Sequence, residues 1–308
     1  MRSTRTLFAL ALLALSACAT TPRPRETGEL VFWRIARADG AGGSAHLLGT
    51  LHIGKEEHAL DPAIASALDA ADELVLEVAP EELGSPLVTN LIIELGQLPR
   101  GQTFRELIAP EVFAAVEQRL RERKIPLDRW LGWEPWVVTL ALASDLLESE
   151  GFSREVGVER SLAADAIAAQ KPARGLETTA EQIARFDAMP LATQELLLRD
   201  AVFPTKSEPI DTLALAWERG DLAALARAIF ASPTGPHAPP YFEAIYHERN
   251  RDFAADIAQL VDAGGHWFVA LGAGHMVGET AIPQLLAARG YRVERIPKTP
   301  RAQRKAKE

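Results

Sequence analysis

The chain carries 33 Lys and Arg against 42 Asp and Glu over 308 residues, a formal charge of −9. An acidic balance of this size argues against sequence-independent binding to nucleic acid, so no nucleic-acid partner is expected. The single cysteine, Cys18, excludes an internal disulfide and a thiol nucleophile within the fold, while 47% hydrophobic content suffices for one large domain with a substantial core.

At the amino end Arg2 and Arg5 precede an apolar run over residues 7–15. That run is too short to cross a hydrocarbon layer of about 30 Å, which takes roughly 20 residues, so residues 1–17 read as a signal peptide. Leu15-Ser16-Ala17-Cys18 resembles the lipobox of bacterial lipoproteins, which implies cleavage before Cys18 and lipidation of its sulfur. The competing reading is an ordinary secretory signal with a chance cysteine. Ala19 after the cysteine resembles the pattern sent to the outer membrane. The expected location is therefore the bacterial cell envelope, lipid-anchored and facing the periplasm, with the anchor as the only membrane contact. Residues 18–28, with Pro22 and Pro24, read as a tether. Loss of Arg2 and Arg5 would take the charge from −9 to −11.

The folded domain is expected over residues 29–297. Residues 31–37 alternate apolar and polar, then Asp39-Gly40 and Gly42-Gly43 turn the chain into a second apolar run ending at His52, the pattern of a hairpin. Asp61-Pro62 is an N-cap and first helical residue, opening a helix to about residue 71, and Glu73-Leu-Val-Leu-Glu77-Val78 reads as a buried strand. From 80 to about 150 the pattern is helical, with breaks at Pro99, Pro126 and Pro135, and predicts a helical insertion. Beyond it, helices are predicted over 157–170, 179–186, 193–201, 211–217, 221–230 and 241–263, with a short strand at 172–177. A strand at 267–271, a helix at 279–289 and a strand at 291–296 close the domain as β-α-β. The fold class is α/β, a central mixed sheet built from amino- and carboxyl-terminal β-α-β parts with a large helical insertion. The basic end, residues 298–308, reads as a disordered tail.

The chemistry concentrates at strand ends. Gly49-Thr50-Leu51-His52 and Gly272-Ala273-Gly274-His275 repeat one pattern after two apolar strands. The carboxyl-end mouth of a parallel sheet is where α/β folds hold ligands, so His52 and His275 are expected to converge there. Glu77 and Glu177 stand at strand ends too, and a carboxylate on an apolar strand needs a metal, an arginine or a histidine as partner. Two imidazoles and two carboxylates form a nitrogen and oxygen set suited to Zn, Mn or Co. Structural salt bridges or satisfied turn histidines meet the same needs. Arg249, in His247-Glu248-Arg249-Asn250-Arg251, is placed to neutralise a carboxylate or hold a substrate carbonyl. His46, His58, His237 and His266 read as structural, and Trp130, Trp133 and Trp136 as packing. Gly-x-Ser-x-Gly, P-loop and dinucleotide motifs are absent.

The motifs around His52, Glu77, Gly157-Val158-Glu159, Gly175-Leu176-Glu177-Thr178 with Gln182, Glu248-Arg249-Asn250 and His275-Met-Val-Gly278 occur in a familiar order. Over about residues 29–297 the chain resembles the TraB/GumN family, related to the Tiki metalloproteases and to erythromycin-esterase and ChaN-like proteins. The resemblance implies a metal-dependent peptidase with His52, Glu77, Glu177, Arg249 and His275 at its site. The family pattern has Gly-Val-Asp where this chain has Gly157-Val158-Glu159, and Glu159 is left outside the expected site. The expected function is an envelope-tethered, metal-dependent hydrolase of peptides or proteins. Its divalent ion would be held by His52, Glu77, Glu177 and His275, with His52, Glu77 and Arg249 catalytic. Two alternatives stand beside it: a metal-independent esterase-like hydrolase with a His52 base, and a non-catalytic envelope protein that binds a ligand.

Overall fold

The computed structural model describes residues 25–55, 60–83, 85–203 and 210–300. The signal peptide, Cys18, the tether up to residue 24, His58 and the tail from 301 lie outside the described residues. In chain order the elements are β1 (Glu29–Arg37), β2 (Ser44–Thr50), α1 (Pro62–Ala70), β3 (Glu73–Leu76), α2 (Pro86–Gly96), α3 (Pro110–Glu122), α4 (Pro135–Ser149), α5 (Val158–Ala168) and β4 (Ala173–Gly175). Then come α6 (Thr179–Asp187), α7 (Leu191–Val202), α8 (Ile210–Arg219), α9 (Leu222–Phe230), α10 (Pro239–Phe242), α11 (Glu248–Ala263), β5 (His266–Gly272), α12 (Ile282–Ala288) and β6 (Tyr291–Pro297).

The caps form as the sequence dictates. The Asp61 side chain accepts the Ala63 N–H at 3.0 Å to open α1, and Thr178 with Glu181 builds a reciprocal capping box on α6. One predicted helix is divided. Residues 241–263 pass through a π-turn, Glu243–His247, before α11. Arg249 Nη1 donates to the Ile245 carbonyl at 3.0 Å, so the widened turn has a side-chain partner for that oxygen.

The six strands lie in the order β4-β3-β5-β2-β1-β6. β5 pairs in parallel with β2 on one side and with β3 on the other, β4 adds in parallel to β3, and β1 runs antiparallel to both β2 and β6. The insertion of β5 between β2 and β3 decides where the site lies. Four strands point their carboxyl ends at one edge, with Thr50 opposite Gly272 and Leu76 opposite both Ala270 and Gly175.

Period-2 alternation divides the strands between two cores. Val31, Trp33, Ile35, Leu47, Val75 and Val269 face α8, α9, α11 and α12, including Phe253, Ile257 and Ile282. Phe32, Leu48, Leu74, Leu76 and Phe268 face α1 and α5, including Ile64, Leu68 and Leu162. Each fully buried Leu, Ile or Phe contributes about 1.5–3 kcal/mol by leaving water. The sheet is thus covered on both faces and its open edge is rigidly set.

The helical insertion expected over 80–150 forms, but its core draws on later chain. Val112, Phe113, Val116 and Val138 pack with Leu198 and Val202 of α7, and Trp136 and Val137 with Ile183 of α6. Trp136 is fully buried and stacks on Phe186, so the tryptophan cluster is packing. Two boundaries extend beyond the expected domain because backbone donors there find fixed acceptors. In the expected tether, the Arg25 N–H donates to Asp221 at 2.6 Å and Thr27 N–H to the Arg219 carbonyl at 3.2 Å. At the expected start of the tail, Lys298 N–H donates to the Gly28 carbonyl at 2.9 Å and Thr299 N–H to Asp61 at 3.1 Å. Among the described residues no helix is long and apolar enough to cross a membrane.

Candidate metal centre

The centre is built where β2, β3, β4 and β5 end. Thr50, the last residue of β2, is buried and its hydroxyl donates to Glu159 Oε1 at 2.8 Å. Glu159 sits in the first turn of α5, where a carboxylate is favoured by the exposed helix N–H groups. The Leu51 carbonyl accepts the Val158 N–H at 2.9 Å, which ties that helix end to the strand. His52 Nδ1 donates to Glu159 Oε2 at 2.6 Å, and its Nε2 lies 3.9 Å from Glu77 Oε1.

Glu77, one residue beyond β3, is 6% exposed. Its Oε1 accepts the Gly272 N–H at 2.6 Å, and its Oε2 accepts Arg249 Nη2 at 2.6 Å and Gln182 Nε2 at 3.2 Å. Burial opposes its ionisation, but His275, Arg249 and His52 facing it, with the Gly272 N–H, hold the carboxyl far below the usual range. Because His275 is itself neutral (below), the anion rests chiefly on Arg249, His52 and that N–H. Glu177, just beyond β4, accepts Arg249 Nε at 3.0 Å, a closer bond from Nη2, and Gln182 Nε2 at 2.8 Å.

Arg249 is therefore a hub: burial would lower its pKa, and Glu77 and Glu177 more than reverse that, raising it above the ordinary value. Its Nη1 also donates to His275 Nε2 at 3.1 Å. His275 lies in the 3-10 turn after β5 and is 3% exposed. Asn250 Nδ2 donates to the Thr280 carbonyl at 2.9 Å, which leaves Asn250 Oδ1 to accept from His275 Nδ1. The network thus assigns the proton to Nδ1 and leaves Nε2 as an acceptor. Burial, with Arg249 and His52, pulls His275 down to about 3 against the opposing pull of Glu77.

His52 is the opposite case. Glu159 is the main cause that pushes it up to about 9, with help from Glu77. The ring is 56% exposed at the mouth of the site. Glu159→Gln is expected to return the ring toward the ordinary pKa of about 6.5, and an imidazole NMR titration would read it. A midpoint unchanged by the substitution would remove Glu159 as the cause. Because the folded pKa is raised, stability from the His52–Glu159 pair is present below the unfolded pKa and is lost as pH rises through about 9.

His52, Glu77 and Glu159 each offer a ligand atom within 4.8 Å of the others. A Cβ added at Gly272 would lie 2.8 Å from His52 Nε2 and 3.1 Å from Glu77 Oε1, so glycine keeps the middle of the cluster open. An imidazole, two carboxylates and an open space between them fit a divalent cation.

All five residues expected at the site come together, in two layers. His52 and Glu77 meet at the mouth with Glu159, which the Gly-Val-Glu departure from the family pattern had left outside the expected site. Glu177 and His275 lie on the inner side, and Arg249 engages both. Thr50, Asn250 and Gln182 complete the network, the last linking Glu77 to Glu177. Gln182→Leu would leave each carboxylate one donor short, an expected cost of about 1–3 kcal/mol, measurable by urea unfolding; an unchanged midpoint would mean the amide is dispensable. Of the other described histidines, His46 stacks on Phe32, His266 meets Ser44 Oγ at 3.1 Å and the His237 carbonyl accepts from Thr193 Oγ1 at 3.0 Å, while His247 meets Thr280 Oγ1 at 2.7 Å, beside the Thr280 carbonyl that accepts from Asn250.

A sequence model of the TraB/PrgY/gumN family matches residues 31–295. The chain belongs to that family. Among its relatives, the uncharacterized protein YbaP of Escherichia coli (strain K12) is 23% identical over 245 residues, 78% of this chain and 87% of YbaP. Its counterpart in Shigella flexneri is 23% identical over 246 residues, 79% of this chain and 87% of that protein. The Metalloprotease TIKI1 of Danio rerio is 22% identical over 334 residues, covering 92% of this chain and 66% of TIKI1. No solved structure gives a significant match.

Proposed function

We propose that this protein is a metal-dependent hydrolase of peptides, tethered to the bacterial cell envelope. The observation that carries the reading is the convergence of His52, Glu77 and Glu159 around the open face of Gly272. The similarity to a protein named as a metalloprotease supports it. His52, Glu77 and Glu159 would hold the ion, and His275, whose Nε2 accepts from Arg249 Nη1, would act through that arginine. Mn, Co or Zn suits these donors. A divalent cation bound there supplies Lewis-acid polarisation of a carbonyl and acidification of water.

The rest is done by the chain. Every nitrogen of the Arg249 guanidinium is engaged, by Glu77, Glu177, Ile245 or His275, so Arg249 acts by fixing Glu77 rather than by holding a substrate oxygen. His52, exposed at the mouth, carries a proton at neutral pH and must release it from Nε2 as a cation binds. The lipid anchor on Cys18 would hold the domain at the outer membrane, facing periplasmic peptide or protein substrates.

The test is metal content by mass spectrometry, with peptide-library cleavage, for the purified chain and a His52→Ala variant. Bound metal and cleavage, both lost on His52→Ala, are expected. A folded protein that takes up no Mn, Co or Zn and cleaves nothing would overturn the reading. The His52–Glu159 pair favours one second reading, hydrolysis with His52 as a base and no metal. A base raised to about 9 is mostly protonated at neutral pH. That mechanism therefore predicts chelator-insensitive turnover that climbs steeply toward pH 9.

A further inference from the structure

The strand order puts the candidate centre and both ways out of the fold at one edge of the sheet. β1 is antiparallel to β2, with Phe32 opposite Leu48, so its first residue, Glu29, lies at the edge where β2 runs out toward His52. β6 is antiparallel to β1, and its last residue, Pro297, pairs with Glu29. The chain therefore enters β1 one strand, and leaves β6 two strands, from the end of β2, within about 10 Å at the usual strand spacing. Lys298 fastens the exit to the entry, its N–H on the Gly28 carbonyl at 2.9 Å and its ammonium on Glu26. The acidic groups around this point are engaged within the fold: Glu26 by Lys298, Glu29 by Arg295 at 3.1 Å, Asp221 by the Arg25 N–H at 2.6 Å and Asp61 by the Thr299 N–H at 3.1 Å. The segments that lead away are of one sign. Residues 19–25 carry Arg23 and Arg25 and no acid, and residues 301–308 carry Arg301, Arg304, Lys305 and Lys307 against Glu308 alone, in a chain of net charge −9.

We propose that these two basic segments dock this edge of the sheet on an anionic phospholipid surface, so that His52 opens toward the bilayer and the centre acts on peptide segments close to it. The orientation rests on the lipid anchor and the substrate class on the peptidase reading, both given above; the headgroup contact rests on neither. Lys and Arg are drawn to an anionic leaflet within a Debye length, about 8 Å at physiological salt. From Cys18 to Arg25 the chain spans at most about 25 Å, so an acyl group on Cys18 keeps the cations near that layer. An acyl anchor sets the distance from the bilayer but not which face meets it. Cations gathered at one edge of an otherwise acidic domain do set it, because the remaining surface is repelled by the same lipids.

The full-length chain, purified from membranes, is reconstituted into vesicles of phosphatidylethanolamine alone or with about 30 mol% phosphatidylglycerol, which supplies the negative surface potential. Mass spectrometry first reads whether Cys18 is acylated and so closed to a thiol dye. A free Cys18 would sink the anchor reading, and the dyes are then placed in a Cys18→Ser background. One dye sits at Lys55→Cys, three residues past His52, the other at Ala41→Cys, in the turn between β1 and β2 at the opposite edge; the length of β2 separates them by roughly 20 Å. With phosphatidylglycerol present, an acceptor on the lipid headgroups is expected to quench the Lys55→Cys dye at least threefold more than the Ala41→Cys dye. Salt at about 1 M, where screening is nearly complete, is expected to remove the difference. So is joint replacement of Arg301, Arg304, Lys305 and Lys307 by Gln, at an unchanged melting temperature. Equal quenching at the two positions, or a difference indifferent to lipid charge and to the four substitutions, would overturn the docking. A peptide library tethered to the same vesicles is expected to be cut at least tenfold faster than the free library, and equal rates would overturn the substrate class. Cleavage of neither library would sink the peptidase reading and leave the headgroup contact standing on the quenching.

Discussion

Arg249→Ala is expected to destabilise the domain by about 3–5 kcal/mol, because removal of one partner leaves buried ions uncompensated. For a domain of this size that is a fall in melting temperature of about 6–20 °C, at roughly 2–4 °C per kcal/mol. Glu77 and Glu177 both depend on this guanidinium, and Glu77 has no solvent to turn to. The pH dependence gives the sharper signature. In the native protein the Glu77 pKa is depressed, so its contribution is full above the unfolded carboxyl pKa of about 4.3 and is lost as pH falls toward the folded value. Without Arg249, burial becomes the dominant influence and the folded pKa rises above the unfolded one. The variant should then lose stability as pH rises from about 4, the opposite slope. Thermal melts at pH 4.5 and pH 8 would measure it, and Glu177→Gln in the variant should recover part of the loss. A deficit equal at the two pH values would show that the guanidinium holds the carboxylates by packing alone.

The sequence carried most of this arrangement because its signals are local. Asp61-Pro62, the alternation in β1 and the apolar runs of β2 and β5 are read from adjacent residues, and each formed within a residue or two of its expected place. The repeated Gly-x-x-His pattern worked for the same reason, since a histidine just beyond a parallel strand has one edge of the sheet to occupy. What stayed hidden is non-local. Nothing near His266 states that β5 will enter between β2 and β3. That placement alone puts His275 on the inner side of Glu77 and the Gly272 N–H on its Oε1. The π-turn before Arg249 has no periodic signature, and it is tied to a carbonyl that the Arg249 side chain itself satisfies. Glu159 was left out by weighing one residue against a pattern, and the Val158 N–H bond to the Leu51 carbonyl that brings it beside the end of β2 is another non-local contact. Glu177 and His275 were legible as strand-end residues of this sheet edge, but both are held by Arg249, which lies on another element.

On the proposed metal-centre reading, Gly272→Ala is expected to abolish cation binding and hydrolysis together while leaving the fold nearly intact. Gly272 has φ −51° and ψ 140°, a conformation that alanine adopts without strain. Its N–H bond to Glu77 therefore survives the substitution. The added methyl lies 2.8 Å from His52 Nε2, closer than a carbon and a ring nitrogen tolerate, and 3.1 Å from Glu77 Oε1. Glu77 cannot move, since Arg249, Gln182 and the Gly272 N–H all hold it. His52 can, because its ring is exposed and a turn outward meets water rather than core. The clash is thus relieved at the mouth, at the cost of the close approach between His52 and Glu77 on which ion binding depends. Calorimetry with Zn or Mn should register at least a hundredfold loss of affinity, with hydrolysis falling in step and a melting temperature lower by no more than about 4 °C, equivalent to roughly 1 kcal/mol. Retained metal binding in Gly272→Ala would place the ion away from this cluster. Retained hydrolysis with metal binding gone would move the chemistry to the metal-independent mechanism, because a displaced His52 still meets Glu159 and water.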